Sequence, residues 1–274
     1  MSRHQPALDD RPGPQLGQLL ACGLRCDFGG VTAVAGVTLG IKAGETLGII
    51  GPNGSGKTTL INLLTGFAKP SEGRIWLHER ACTNWSPTRR ARAGIARTFQ
   101  HIRLFEGMTV SENVEVGVVA TGRRGRASAR RTARLALDQL KITQYAHRDT
   151  RGLPYGVRRR AEIARALGMR PTFLLLDEPA AGMDERESAD LIDALAPLPS
   201  ERELGMLVVE HDFRVIEALC DQVMVIDSGA VLAVGSAEQV SRDPLVLDAY
   251  LGTDGASLPS YATSERGINE SVRP

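Results

Sequence analysis

Gly51-Pro52-Asn53-Gly54-Ser55-Gly56-Lys57-Thr58-Thr59 has the composition and spacing of a cradle for a nucleoside triphosphate. The pattern is G-x-x-x-x-G-K-[ST], in which glycines let the backbone wrap closely and aim successive N–H groups at phosphate oxygens. Lys57 has the reach for the β- and γ-phosphates, and the Thr58 hydroxyl is a ligand for Mg²⁺. The flanking residues supply the right supports. Residues 45–50 read as a short buried strand entering the loop, and 58–64 as a helix ending near Gly66. That helix would turn its N-terminus, worth about half a positive charge, toward the phosphates.

A second set of chemically capable residues lies far along the chain. Leu174-Leu175-Leu176-Asp177-Glu178-Pro179 is an apolar strand ending in two carboxylates. The carboxyl edge of a parallel sheet is where α/β proteins bind ligands. Strand alternation aims adjacent side chains in different directions, which suits two roles. Asp177 would hold Mg²⁺ through a water, opposite Thr58. Glu178 would polarise the water that attacks the γ-phosphate. On its own such a strand end is as easily structural; paired with the loop at 51–59 it completes a site for ATP hydrolysis.

With these residues the sequence resembles the ATP-binding subunits of ABC transporters. The resemblance implies a P-loop NTPase α/β core with an N-terminal antiparallel β region and an inserted helical subdomain. It also assigns further residues. Gln100, at the end of an expected strand, would contact Mg²⁺ and the attacking water and connect the site to the helical subdomain. His211, after an expected strand at 206–209, would touch the γ-phosphate. Phe28 would stack on adenine, a contact of about 1–3 kcal/mol by analogy with base stacking elsewhere. Gly156, in Leu153-Pro154-Tyr155-Gly156-Val157, stands where the family carries the signature that grips the nucleotide of a partner subunit. Here Pro154 replaces a serine and lacks an N–H, Tyr155 replaces a glycine, and Val157 replaces a glutamine. Ala181-Gly182-Met183-Asp184 matches the segment that crosses the dimer interface.

Several stretches narrow the resemblance to the ATP-binding subunit of high-affinity branched-chain amino acid importers. They include Phe28-Gly29-Gly30-Val31, Arg97-Thr98-Phe99-Gln100, Glu178-Pro179-Ala180-Ala181-Gly182 and Ala249-Tyr250-Leu251-Gly252, within a similarity spanning residues 19–252. The expected partners are a second ATP-binding subunit, identical or paralogous, two transmembrane permease subunits and, indirectly, a substrate-binding protein. The expected location is the cytoplasmic face of the membrane, held there by the permease. Relatives importing urea or short amides share much of the pattern, and the solute is chosen by other chains. An ABC-type ATPase acting on DNA or ribosomes, and a nucleotide sensor with a dead site, are the competing readings. The first usually has long coiled coils or two ATP-binding units, and neither is visible here.

The elements that must position these residues alternate between strand and helix. Strands are expected at 34–41, 46–50, 94–99, 172–176, 206–209 and 223–226, the last forming a hairpin with 231–234. Helices are expected at 58–65, 128–140, 158–168, 185–196 and 213–220. Residues 107–170 form the helical subdomain within a cassette at 17–252, flanked by tails at 1–16 and 253–274 whose composition reads as disordered. The chain has 274 residues, 42% of them hydrophobic and 24% charged, which suffices for a full core. A formal charge of +1 gives no global field for nucleic acid, which is not expected as a partner. No apolar run has the roughly 18–20 residues of a membrane span, and the N-terminus lacks the apolar centre of a signal peptide. Cys22 and Cys26 lack the second pair that would complete a zinc site. Arg123, Arg124, Arg126, Arg130, Arg131 and Arg134 read as a solvated loop and helix face, since no aromatics interleave with them.

Overall fold

The structure, a computed structural model, describes residues 15–122 and 125–251. The tails expected at 1–16 and 253–274 therefore lie outside it, apart from Gln15 and Leu16. The chain opens with β1 (Gln18–Phe28), β2 (Val31–Lys42) and β3 (Thr46–Ile50), followed by α1 (Lys57–Thr65). A short pair, β4 (Glu72–Leu77) and β5 (Arg80–Ala81), leads through α2 (Pro87–Ala93) to β6 (Ile95–Arg97). Three helices come next: α3 (Val110–Ala120), α4 (Arg126–Gln139) and α5 (Tyr155–Gly168). The chain then runs β7 (Phe173–Asp177), α6 (Glu185–Leu195), α7 (Leu198–Arg202), β8 (Gly205–Val209) and α8 (Phe213–Leu219). It finishes with the hairpin β9 (Gln222–Asp227) and β10 (Ala230–Gly235), then α9 (Ala237–Ser241) and α10 (Pro244–Leu251).

The strands form two sheets. A six-stranded sheet has the order β10-β9-β3-β8-β7-β6, parallel except for β10. An antiparallel sheet has the order β2-β1-β4-β5. Every residue of β3, β7 and β8 is buried, as parallel strands covered on both faces must be. Alternation along each strand feeds two cores. Leu47, Ile49, Phe173, Leu175, Leu207 and Val209 pack with the antiparallel sheet and α1. Leu174, Leu176, Met206, Val208, Val223 and Val225 pack toward the helical side. Between β6 and β7 the named elements are all helices, with α3 packed against both α4 and α5.

Most boundaries shift by one to three residues from the sequence reading, three of them as follows. The strand expected at 94–99 is only Ile95–Arg97, because Gly94 closes α2 with φ +117°. Gln100 consequently sits in the loop beyond β6. The helix expected at 158–168 begins at Tyr155, with Pro154 as its N-cap, so Gly156 and Val157 belong to its first turn. The Pro154 carbonyl already accepts the Arg158 N–H at 3.0 Å. The strand expected at 34–41 runs the longer span Val31–Lys42, paired with β1.

Of the arginine-rich stretch, Arg123 and Arg124 lie outside the described residues. Arg130, Arg131 and Arg134 are exposed on α4, while Ala129, Ala133, Ala136 and Leu137 face the core. None of the four cysteines forms a disulfide. No helix among the described residues is long and apolar enough to cross a membrane.

Candidate active site

The loop 51–56 leaves β3 at the carboxyl edge of the parallel sheet and enters α1 directly. Its shape depends on glycine at two points. A Cβ on Gly51 would collide with the Ile226 carbonyl, and one on Gly56 with the Ala33 carbonyl. Gly56 caps α1 with φ +102°, makes no side-chain cap bond, and is followed by no acidic residue in the first turn. The first N–H groups of α1 thus keep their donor capacity and positive dipole for an anion.

A cavity of about 290 Å³ opens over this loop, lined by Ala33, Asn53 to Thr59, Gln100 and Glu178. The geometry thereby brings together Gly54, Ser55, Gly56, Lys57, Thr58 and Thr59 with two residues more than 40 positions away. The Lys57 ammonium is buried and donates to the carbonyls of Gly51 at 2.7 Å and Pro52 at 2.8 Å. Burial pushes its pKa down, opposed by the charges of Glu178 and Asp177. The Ser55 hydroxyl is buried without a protein partner.

The two carboxylates differ as their strand parity demands. Asp177 ends β7, is 2% exposed, and is paired through Oδ2 with Arg97 at 3.2 Å. Burial raises its pKa; Arg97 works in the opposite direction. Glu178 lies just past the strand end with φ +48°, a strained conformation for a residue with a side chain and one that clusters at functional sites. Its carboxylate accepts the Gln100 Nε2–H at 3.1 Å, which leaves the Gln100 amide oxygen free for another partner. Thr58 hydroxyl, Gln100 amide oxygen and Asp177 Oδ1 are hard oxygen donors of the kind Mg²⁺ prefers, so the residues present fit that ion.

The remaining expected residues stand outside the cavity lining. His211 follows β8, with its side chain 60% exposed and Nδ1 3.7 Å from Glu210. Phe28 ends β1 and is 55% exposed. Gly156 is buried at the start of α5, where its N–H donates to the Glu187 carboxylate at 3.2 Å.

Two contributors escaped the sequence reading as site residues. Glu210 is fully buried and accepts the N–H groups of Ala180 at 2.7 Å and His211 at 3.1 Å, so it ties the two carboxyl-edge loops together. Arg97 does more. It donates to Asn62 Oδ1 at 2.7 Å, Thr65 Oγ1 at 3.2 Å and the Thr98 carbonyl at 3.0 Å while holding Asp177. Its guanidinium also lies over the Phe99 ring at 4.5 Å. Removing one partner of a buried pair costs about 3–5 kcal/mol. Arg97→Met is therefore expected to lower unfolding stability by about that amount in urea denaturation. The loss should shrink as pH falls, because protonated Asp177 carries no charge to compensate. A stability loss independent of pH would show that Arg97 acts by packing alone.

Comparison with known proteins agrees with this geometry. The model of the ABC transporter family matches residues 34–181, and that of the branched-chain amino acid ATP-binding cassette transporter matches residues 230–256. The high-affinity branched-chain amino acid transport ATP-binding protein LivG of Salmonella typhimurium is 39% identical over 244 residues, covering 84% of this chain and 96% of the relative. The ADP conformation of MJ1267, an ATP-binding cassette of an ABC transporter, superimposes with a TM-score of 0.78. It is 30% identical and covers 86% of this chain and 98% of its own. The dimeric post-hydrolysis cassette MJ0796, bound to ADP and Pi, gives a TM-score of 0.72 at 27% identity, covering 80% of this chain and 98% of its own. With a phosphate cradle, a carboxylate pair and a glutamine gathered on one sheet edge, and with relatives matched over nearly their whole length, this chain belongs to the ABC transporter ATP-binding family.

Proposed function

We propose that the chain is the ATP-hydrolysing subunit that powers solute import through a membrane permease, with branched-chain amino acids as the solute. The observation that carries this reading is the single cavity that joins the loop of α1 to Gln100 and Glu178. The match at residues 230–256 and the likeness to LivG support the solute class.

In this reading the first-turn N–H groups of α1, from Lys57 to Thr59, and the Lys57 ammonium bind and orient the phosphates. Phe28 takes the adenine ring. Thr58, Gln100 and Asp177 would hold Mg²⁺, which supplies charge neutralisation at the phosphates when bound. Glu178 takes the proton of the attacking water, a contribution of about 10²- to 10⁴-fold. Gln100 orients that water beside Glu178, and His211 touches the γ-phosphate. The cassette would span residues 17–252, with 107–170 as the helical subdomain.

In this reading Gly156 at the start of α5 meets the nucleotide of a second ATP-binding chain, identical or paralogous, once its N–H leaves the Glu187 carboxylate. Closure of this pair is coupled to two permease subunits at the cytoplasmic face of the membrane, with a substrate-binding protein delivering solute from outside. The test is to tag the chain and recover what co-purifies from detergent-solubilised membranes. Two multi-span proteins and a second ATPase are expected, together with loss of branched-chain amino acid uptake when the chain is deleted. Recovery of ribosomes or DNA instead would overturn the transporter reading, and loss of urea or amide uptake alone would replace the solute.

A further inference from the structure

The first turn of α5 and the loop carrying Gln100 belong to different parts of the sequence, yet one side chain fastens them. Arg159 is 0% exposed. Its Nη1 donates to the Phe99 carbonyl at 2.6 Å and its Nη2 to the Gln100 carbonyl at 2.7 Å. These two carbonyls belong to the peptide planes Phe99–Gln100 and Gln100–His101, which flank the Gln100 Cα. A planar guanidinium fork that takes both therefore fixes the backbone from which the Gln100 side chain springs. That side chain is the one donating to Glu178 at 3.1 Å.

The same guanidinium is held from behind. Glu162, 1% exposed, pairs with Arg159 Nη1 at 3.0 Å and accepts the Arg103 N–H at 3.0 Å. The loop from Phe99 to Arg103 is thus gripped at three backbone positions by one turn of α5. At the other end, Arg159 Nη2 reaches the Tyr155 hydroxyl at 3.4 Å. The Tyr155 ring lies against Gly182, since a Cβ there would be 3.4 Å from Tyr155 Cε1. Gly156 beside it is fastened to α6 through Glu187. The Gln100 loop, the start of α5 and the segment 181–184 are consequently linked through Arg159 and Tyr155.

We infer that Arg159 is a positioning residue for hydrolysis: it sets Gln100 against Glu178 at this chain's own nucleotide, and makes that glutamine move with the helix start offered to the partner's nucleotide. The inference rests on the proposed ATPase reading and adds to it the group that links the two sites. Bidentate hold of both carbonyls is the property at stake. Lysine keeps a positive charge for Glu162 but carries its donors on one nitrogen of a flexible stem, without the rigid planar fork that orients two peptide planes at once.

The test measures ATP hydrolysis by the assembled transporter and ATP affinity by titration with a fluorescent ATP analogue. Arg159→Lys is expected to fold, to keep nucleotide affinity within about twofold, and to lose about tenfold in kcat, since small misplacements of a catalytic group cost up to about 10²-fold. Arg159→Gln should lose more. In a Gln100→Ala background, neither Arg159 substitution should lower kcat further, because the group it positions is gone. An unchanged kcat in Arg159→Lys, or losses that multiply independently of Gln100→Ala, would overturn the inference. An unsubstituted transporter that binds ATP without hydrolysing it would instead overturn the ATPase reading itself.

Discussion

Lys57→Ala is expected to abolish nucleotide binding while leaving the fold intact. The ammonium has three protons, and two already serve the carbonyls of Gly51 and Pro52. The third remains for phosphate oxygens, and the positive charge acts on all of them. A hydrogen bond involving a charged group contributes about 1.5–3 kcal/mol, so losing that contact alone raises Kd by about 10- to 10²-fold, and losing the attraction of the charge for the other phosphate oxygens adds to it. The fold should tolerate the change because the charge is held at the expense of stability. Burial is the largest influence on Lys57 and disfavours its charged form. The two loop carbonyls lose a donor, yet the turn retains Gly51 and Gly56 and the Ser55 N–H bond to the Pro52 carbonyl at 3.2 Å. Isothermal titration with ATP and a thermal melt of the same sample check both halves. Micromolar affinity retained in the variant would overturn the assignment of residues 51–59 as the phosphate cradle.

The strands that bear the site were legible because they are buried on both faces. Continuous apolar runs such as Leu174-Leu175-Leu176 leave little choice but a covered parallel strand. The antiparallel sheet was harder to delimit. In β1 the register against β2 shifts between Ala21 and Leu24, which breaks the period-two pattern. Helix α3 was missed as an element because its valines and its glycine weaken a helical reading. Its start carried a usable signal all the same: the Thr109 hydroxyl and the Glu112 carboxylate form a capping box.

Site residues divide the same way. The cradle is legible because its chemistry is compressed into nine consecutive residues. Asp177 and Glu178 are legible because a strand end fixes them. Arg97 and Arg159 were not, since their partners lie 80 and about 60 positions away and nothing in a local window marks an arginine as buried. Their burial is what makes them informative: a guanidinium out of water must be paired, so each pairing states which segments are held together. Gly156 was legible as a motif position, but its place inside the first turn of α5 depends on Pro154 serving as the N-cap.

Glu178→Gln is expected to separate binding from hydrolysis. The amide has nearly the volume of the carboxylate, and its oxygen can still accept the Gln100 Nε2–H that Glu178 accepts at 3.1 Å. The strained backbone at φ +48° is set by the chain around it, including the Glu178 N–H bond to the Val209 carbonyl at 2.8 Å, so it survives the substitution. What disappears is the group able to take a proton from water. Removing such a base lowers kcat by about 10²- to 10⁴-fold. ATP affinity depends on Lys57 and the start of α1, whose hydrogen bonds the substitution leaves in place, and one negative charge fewer beside the phosphates favours binding. The two effects together trap the ATP-bound pair, so size-exclusion chromatography with ATP and the partner subunit should show dimers that the unsubstituted protein forms only transiently. Turnover equal to that of the unsubstituted protein would remove Glu178 from the mechanism. A variant that binds ATP, fails to hydrolyse it and still elutes as a monomer would leave Glu178 as the base and overturn the nucleotide sandwich, because closure would then depend on something other than ATP held between two chains.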